Sequence, residues 1–572
     1  MDTRRMILTI IFSVSLLMLW DNYQRSIGQP TLFGLSTATQ SAAKPESGAA
    51  SAPADVPSAA VAPPADAKAG AAGAAGTPAT AVAGTASDTA ATSAKVAELI
   101  EFKTDVLTLK ISTEGAQIRQ ASLTEHPLPS PQQGPMRLLD NSQQRTYWVQ
   151  TGFLGSPLLA NHRQIYELKP GNHTVLKDGE TTLRLEFMSR RSGVESKIIY
   201  VLHRGRYDID VIHEVNNGSE SPIEPSIYAQ IMRDDGAPEG ESSFYSTFTG
   251  PAVFSNEGKY QKIDFSSIAK NSASFVKNAS DGWVAMVQHY FVTALIPADG
   301  SARENFARKV DNRLYSIGFV SNLGSVVPGS TSTRTSRLFV GPQDQHLLES
   351  MAPGLDLVRD YGWLTIIAKP LFWLLEQLHA LAGNWGWAIV LLTILVKLAF
   401  FPLSAASYKS MAKMRTLTPR LTRLREQYGD DRMRLNQAMM ELYKTEKINP
   451  LGGCLPVLVQ IPVFLALYWV LLASVEMRNA PWIGWIHDLA SPDPFYVLPI
   501  IMAASMFVQT KLNPTPPDPI QAKVMMMMPI VFSVMFLFFP SGLVLYWVVN
   551  NILSIAQQWS ITRMIEANPQ KA

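Results

Sequence analysis

One cysteine, Cys454, is all the thiol that 572 residues carry, so no disulfide can form within the chain. The formal charge is only +2, which gives no global field of the kind a nucleic-acid binder uses. A phosphate-binding loop is missing too, since the stretch from Gly250 to Gly258-Lys259 has the wrong spacing. No Cys/His cluster has zinc spacing, and neither a metal nor a cofactor is expected. Aromatic residues are absent between Phe33 and Phe102. Acidic residues are absent from five apolar stretches in the last third of the chain. Between Gly383 and Lys409 the only basic side chain is Lys397, inside the run TILVKLAFFPL. At 47% hydrophobic and 17% charged residues, the composition is oily for a soluble protein.

Arg4 and Arg5 precede an apolar run from Met6 to Trp20. A cleaved signal peptide would fit, but no small-residue cleavage site follows, and residues 1–25 are expected to be an uncleaved membrane anchor. The paired arginines place its start in the cytoplasm. Residues 26–95 are rich in Ala, Ser, Thr, Gly and Pro. They cannot bury enough apolar area to offset ordering entropy and are expected to be a disordered tether. From 96 to 355 the pattern changes to period two. Leu107, Leu109 and Ile111 alternate with polar residues, as do Leu183, Leu185 and Phe187, and Tyr207, Ile209, Val211 and Val215. Turns between such runs indicate antiparallel sheets, and the span suggests one large β-sandwich beyond the first membrane segment. Arg233, Asp234 and Asp235 are expected in a solvated turn.

In 356–383, Ile367, Leu371, Leu374, Leu378 and Leu381 recur at helical spacing, interrupted by Lys369, Pro370, Glu376 and His379. A helix lying in the membrane interface is expected rather than a full span. Five spans follow in 384–563, at about 385–403, 455–474, 495–510, 524–540 and 542–561. The loop 404–454 carries ten Lys and Arg, whereas 475–494 carries only Arg478. This bias puts 404–454 in the cytoplasm. The fold class is therefore a polytopic α-helical membrane protein of six spans with a large periplasmic antiparallel β-sandwich. Both termini are cytoplasmic, residues 26–383 mainly periplasmic, and 564–572 a short cytoplasmic tail.

Segment 404–454 reads as a helical hairpin, with Leu417 and Leu421 in an apolar stripe, Gly429 as a helix end, and Asp430 or Asp431 as a cap. Its surface carries Lys409, Lys413, Arg415, Arg420, Arg423 and Arg425. Two explanations stand: charge that sets topology against anionic lipid, and a landing surface for RNA or nascent chains. Lys397 also has two explanations. Its ammonium snorkels to the headgroups, or it faces a hydrated recess. On the last span, Tyr546, Asn550, Ser554 and Gln558 are four apart and form one polar stripe, flanked by Asn551 and Gln557. Thr393 lies one turn from Lys397, and Gln460 lies between Pro456 and Pro462. Such polar groups either glue helices together or line a recess, and the lack of an acidic partner for Lys397 favours the recess. A solute transporter would show broken helices in repeats, which are not evident. An envelope enzyme would show a nucleophile and base, also not evident.

Several stretches, GNWGWAIVLLTILVKLAFFPL, SMAKMR, YKTEKINPLGGCLPVLVQIPVFLALY, WIHDL and FPSGLVLYWVVNN, together resemble the YidC family of membrane protein insertases. That family is related to the mitochondrial Oxa and chloroplast Alb proteins, and the anchor, tether and β domain match its Gram-negative form. The resemblance implies a non-enzymatic insertase and chaperone with a groove open to cytoplasm and lipid. By position it implies Lys397, Thr393, Gln460, Tyr546 and Trp547 in that groove, beside Asn550, Ser554, Gln557 and Gln558. Ile461, Pro462 and Phe464 would form an adjoining substrate slide. Many relatives carry arginine at the position of Lys397, so the charge is kept and the bidentate fork is not. Implied partners are nascent inner-membrane proteins, the Sec translocon (SecYEG, SecDF), the ribosome or signal recognition pathway transiently, and the phospholipid bilayer. The implied location is the bacterial inner membrane.

Overall fold

A computed structural model of the chain describes residues 56–57, 96–128, 134–142, 145–238, 247–429, 431–446, 455–512 and 519–567. The expected anchor at 6–20, all but two residues of the tether, residues 447–454 of the hairpin segment, and residues 568–572 lie outside the described residues.

Two nine-stranded sheets form the first body, and every pairing between their named strands is antiparallel. The first sheet runs β1 (Leu99–Lys103), β2 (Leu107–Ser112), β3 (Gln117–Pro127), β4 (Pro135–Asn141), β5 (Thr146–Leu154), β10 (Ser226–Asp234), β17 (Leu314–Asn322), β16 (Arg303–Lys309) and β13 (Asn278–Ala279). The second runs β12 (Lys259–Lys262), β11 (Gly250–Ser255), β14 (Trp283–Gln288), β15 (Phe291–Pro297), β18 (Thr331–Pro342), β9 (Asp208–Asn217), β8 (Val194–His203), β7 (Thr182–Arg191) and β6 (Glu167–Leu168). Leu107, Leu109 and Ile111 are buried with polar neighbours half exposed, as the period-two pattern requires. The same alternation holds in β7, and in β9 the slot between Val211 and Val215 is taken by His213. The sheets meet face to face where the Tyr147 hydroxyl donates to Thr293 Oγ1 at 2.8 Å and Phe153 packs edge-on to His213.

Arg233 departs from the turn that its neighbours suggested. It is the next-to-last residue of β10, is buried, and lies over the Tyr147 ring at 5.1 Å. Asp234 does make the turn, accepting from the Gly236 amide, and Asp235 pairs with Arg313 at the surface. A guanidinium can be buried where an aromatic face and a backbone carbonyl replace water, and a charged triplet on its own does not reveal that.

Short helices α1 (Phe265–Ala269) and α2 (Gln345–Met351) belong to the sandwich. The second body is helical: α3 (Thr365–Ala382), α4 (Trp385–Ala399), α5 (Phe401–Tyr428), α6 (Arg432–Thr445), α7 (Leu455–Ala473), α8 (Val497–Leu512), α9 (Pro519–Phe536) and α10 (Ser541–Ala567). In α3 the buried positions are Ala368, Phe372 and Leu375, one step off the predicted stripe. Ile367, Leu371, Leu374 and Leu378 pack half-buried at its flanks, and Leu381 is exposed. The stretch 385–403, expected as one helix, is two. Helices α4 and α5 are bent 63° at Phe400. Pro402 has no N–H to continue the ladder of α4. Among the described residues no single helix is long and apolar enough to cross a membrane. That bent pair could, and Gln460–Ala473, Val497–Leu512 and Lys523–Phe536 are shorter apolar helices.

The two bodies are joined by a buried clamp. Arg359 donates through both terminal nitrogens to Glu476 at 2.9 and 2.8 Å and to Ser474 Oγ at 2.7 Å, with its guanidinium 4.0 Å from the Phe372 ring centre. Nearby, His289 Nε2 donates to the Leu472 carbonyl at 2.9 Å, and Asn479 reaches Pro127 O.

Burial pushes His213 down to about 3 and His289 down to about 4. Thr151 donates its hydroxyl proton to Tyr228 O, so His213 is the donor in its 2.6 Å contact with Thr151. Both histidines are neutral when folded and take up protons once unfolded below about pH 6.5. The unfolded state therefore gains protons, and stability falls by up to about 1.4 kcal/mol per pH unit for each histidine as pH drops towards its folded value. We expect the melting temperature of the full-length protein to fall between pH 7.5 and 5, with a shallower fall in His213→Gln. Equal slopes in thermal melts followed by tryptophan fluorescence would contradict this.

Candidate functional site

Lys397 lies in the last turn of α4 and is 6% exposed. Its ammonium donates to Ser554 Oγ on α10 at 2.7 Å. Ser554 in turn donates to the Asn550 carbonyl at 2.7 Å, so its oxygen is left to accept from the lysine. Tyr408 of α5 also hydrogen-bonds Ser554. An ammonium has three donors. Among the described residues Lys397 has one hydrogen bond and no neighbouring charged group. The partner is the one serine hydroxyl of the polar stripe that the sequence shows on α10.

Those amides mostly meet one another and adjacent helices. Gln460 of α7 donates to Asn550 Oδ1 at 2.9 Å and bonds the Tyr546 hydroxyl. Gln558 donates to Leu512 O at 3.1 Å, and Asn551 donates to Ser505 Oγ at 3.2 Å, both towards α8. Tyr546, Ser554 and Gln558 are buried on one stripe, with Asn550 half-buried between them. Thr393 is buried, but its hydroxyl turns back to the Ile389 carbonyl at 2.7 Å in its own helix, a common use of threonine in helices. Gln557 is half-buried, and its Oε1 has no hydrogen-bond partner among the described residues. The α10 helix is thus polar on two sides. One meets α4 and α7, and the other ties α8.

Trp547 sits between Phe464 of α7, at 4.7 Å, and Phe536 of α9, at 5.7 Å, and Phe464 also stacks on Tyr546 at 6.0 Å. Pro462 is half-buried and Ile461 is exposed, so the wall formed by α7 offers apolar surface next to the polar stripe. The positively charged hairpin is a separate feature. Gly429 has φ +46°, and Asp431 caps α6 by accepting from the Arg434 amide. Leu417 and Leu421 pack against Met439, Leu442 and Tyr443. Lys409, Arg420 and Arg423 are exposed, with Arg420 paired to Glu446 at 2.5 Å. The side chains of Lys413, Arg415 and Arg425 lie outside those described. Sequence reasoning missed Tyr408 and Ser505. Each is a single polar residue whose pairing depends on how two distant helices cross, so no local pattern marks it.

Two family descriptions cover nearly all of the described chain: "YidC periplasmic domain" over residues 99–374 and "60Kd inner membrane protein" over 377–568. These define the class, an inner-membrane protein that carries a periplasmic antiparallel β-sandwich. The membrane protein insertase YidC of Cupriavidus necator is 53% identical over 99% of this chain and 98% of its own length. That of Bordetella petrii is 54% identical over the whole of both chains. The chain belongs to the YidC family of membrane protein insertases. A crystal structure of an active YidC insertase with its first transmembrane domain resolved is 19% identical, covers 80% of this chain and 91% of that one, and has a TM-score of 0.37, too slight a likeness to carry an inference.

Ser554→Ala would leave a buried ammonium without its acceptor, at a cost of about 1–3 kcal/mol. In a Lys397→Met background the same change should cost far less. A double-mutant cycle on thermal stability in lipid nanodiscs checks this, and equal costs in both backgrounds would refute the pairing.

Proposed function

We propose that this protein inserts inner-membrane proteins and helps them fold, through a recess bounded by α4, α7 and α10. The observation that carries the proposal is Lys397, a buried ammonium with one hydroxyl as its hydrogen-bond partner and without a carboxylate among the described residues. Charge placed within a span costs a few kcal/mol and serves a cavity or a partner. Here the partner is the polar or acidic tail of an incoming chain. The tail enters from the cytoplasm and is drawn by Lys397 towards the groove residues Thr393, Gln460, Tyr546, Trp547, Asn550, Ser554, Gln557 and Gln558. This shortens the path its polar groups take through low dielectric. The apolar segment behind it leaves along Ile461, Pro462 and Phe464 into lipid, and burial at about 25 cal/mol per Å² drives that step. Membrane potential aids the crossing of an acidic tail. No covalent chemistry is involved, and Lys397 acts as an electrostatic lure.

The same proposal includes six spans with both termini in the cytoplasm and the sandwich in the periplasm. The charge asymmetry between loops 404–454 and 475–494 supports it. The exposed Lys409, Arg420 and Arg423 suit anionic lipid and transient contact with the ribosome or signal recognition pathway. Work alongside the Sec translocon, with the periplasmic domain as scaffold, completes the reading.

The test is rescue of cells depleted of the native protein by Lys397→Arg, Lys397→Met and Lys397→Glu at matched expression. Insertion of a small phage coat protein with an acidic tail is read by protease accessibility. Arginine should restore insertion. Methionine should slow it about tenfold, equivalent to about 1.4 kcal/mol of lost attraction, and glutamate should slow it further. Insertion by Lys397→Met at the parental rate would remove the lure from the mechanism.

A further inference from the structure

Within the stretch expected as a tether, Val56 and Pro57 are placed against the β-sandwich. Pro57 is buried, and the Val56 carbonyl accepts from Arg308 Nη1 of β16 at 3.1 Å. Arg308 is held from behind by a chain of hydrogen bonds that crosses the first sheet. Its Nη2 donates to Gln230 Oε1 at 3.1 Å, Gln230 to Gln150 Oε1 at 2.7 Å, Gln150 to Gln117 Oε1 at 3.0 Å, and Gln117 to the His162 carbonyl at 2.7 Å. The three glutamines are at most 4% exposed. Arg308 Nε also donates to Ser316 Oγ at 3.2 Å, and the guanidinium lies over the Phe306 ring at 5.0 Å.

The register explains how Arg308 reaches so far. Gln150, Gln230, Gly318 and Phe306 are directly opposite one another across β5, β10, β17 and β16. Gly318 contributes no side chain to that line, and a Cβ there would stand 2.2 Å from the Ala229 carbonyl. The line runs along the outer face, because Tyr147 and Thr151 of β5, at odd positions, meet the second sheet. A buried row of amides on the outer face of a sheet is expensive unless every member is satisfied. Here each Nε2 donates in the same sense, away from Arg308. Each Oε1 accepts from the member nearer to it. The row therefore orients the guanidinium and leaves Nη1 pointing at a carbonyl outside the sheet. A carbonyl just before a proline suits this, since proline brings no N–H of its own to compete for it.

We propose that the outer face of the first sheet at Arg308 is a seat for the chain's own Val56–Pro57 segment. Seating pins the link between the amino-terminal end and the sandwich partway along its length. Roughly half of the covalent leash between Trp20 and Val96 lies before the seat, so the seat halves the leash that tethers the sandwich.

Because Cys454 is the only cysteine, a Cys454→Ser background accepts spin labels cleanly. Labels at Val56→Cys and Asp311→Cys keep the Val56 carbonyl and occupy an exposed turn beside β16. Pulsed electron resonance on the full chain in nanodiscs should give one narrow distance, replaced by a broad distribution in Arg308→Ala. A broad distribution in the parent, or a narrow one that persists in Arg308→Ala, overturns the seat. Should Arg308→Ala fail to fold, Arg308→Met, which keeps the side-chain stem and removes the donors, takes its place with the same two outcomes.

Discussion

An ammonium taken out of water must have its hydration replaced, and the helical body is arranged around that constraint. Lys397 could have been neutralised by a carboxylate on any facing helix, yet none of the described residues supplies one. Ser554 supplies an oxygen, and Ser554 is itself fixed by its own helix and by Tyr408. The next polar residues on that stripe, Asn550 and Tyr546, are held by Gln460. Polar groups that bind α10 to α7 thus sit on the same stripe as the lysine's partner, and in the proposed mechanism they also line the recess.

The helical body is held to the sandwich by a different electrostatic device. Arg359 is buried and Glu476 half-buried, and desolvation lifts the Glu476 carboxyl with the Arg359 charge opposing it. A buried pair of this kind adds little net stability, because desolvation offsets attraction, but removing one partner is costly. Its effect is on placement. The two-point fork, Ser474 and the Phe372 ring allow one orientation of the guanidinium. The segment leaving the sandwich is thereby fixed to the end of α7, the helix that carries Gln460 and Phe464.

Much of this was legible in the sequence where periodicity or spacing encodes geometry. The alternation in β2, β7 and β9 marks the buried faces, and the four-residue spacing of Tyr546, Asn550, Ser554 and Gln558 marks one side of α10. Gly429 and Asp431 mark the hairpin turn, since a positive φ and a cap are local demands. What escaped was set by tertiary crossing. The bend at Phe400 needed the weight of Pro402 against an apolar run that reads as continuous. Arg233 looked solvated because its aromatic partner, Tyr147, is on a strand far back in the sequence. The three glutamines of the row lie on three strands, β3, β5 and β10, and no single segment shows more than one of its members.

The bend and the lysine are best understood as one device. Pro402 ends α4 by offering no N–H, and a helix end carries partial negative charge on its last carbonyls. Lys397 lies in that last turn. A cation there gains about 0.3–1 kcal/mol from the helix dipole. A hydrogen bond to a charged donor adds about 1.5–3 kcal/mol. Insertion scales put the cost of a lysine at mid-span at about 2.5–3.5 kcal/mol. The gains nearly meet the cost, so the lysine is tolerable without a counter-charge. A carboxylate would stabilise it further but would cancel its field beyond the pair. Left unpaired, a unit charge still attracts an opposite one 10 Å away by about 1.7 kcal/mol at an effective dielectric of 20. That is worth more than a factor of ten in local occupancy, which is the scale an electrostatic lure requires. Among the described residues no carboxylate faces Lys397, so in the proposed mechanism its charge is left to act on an incoming chain.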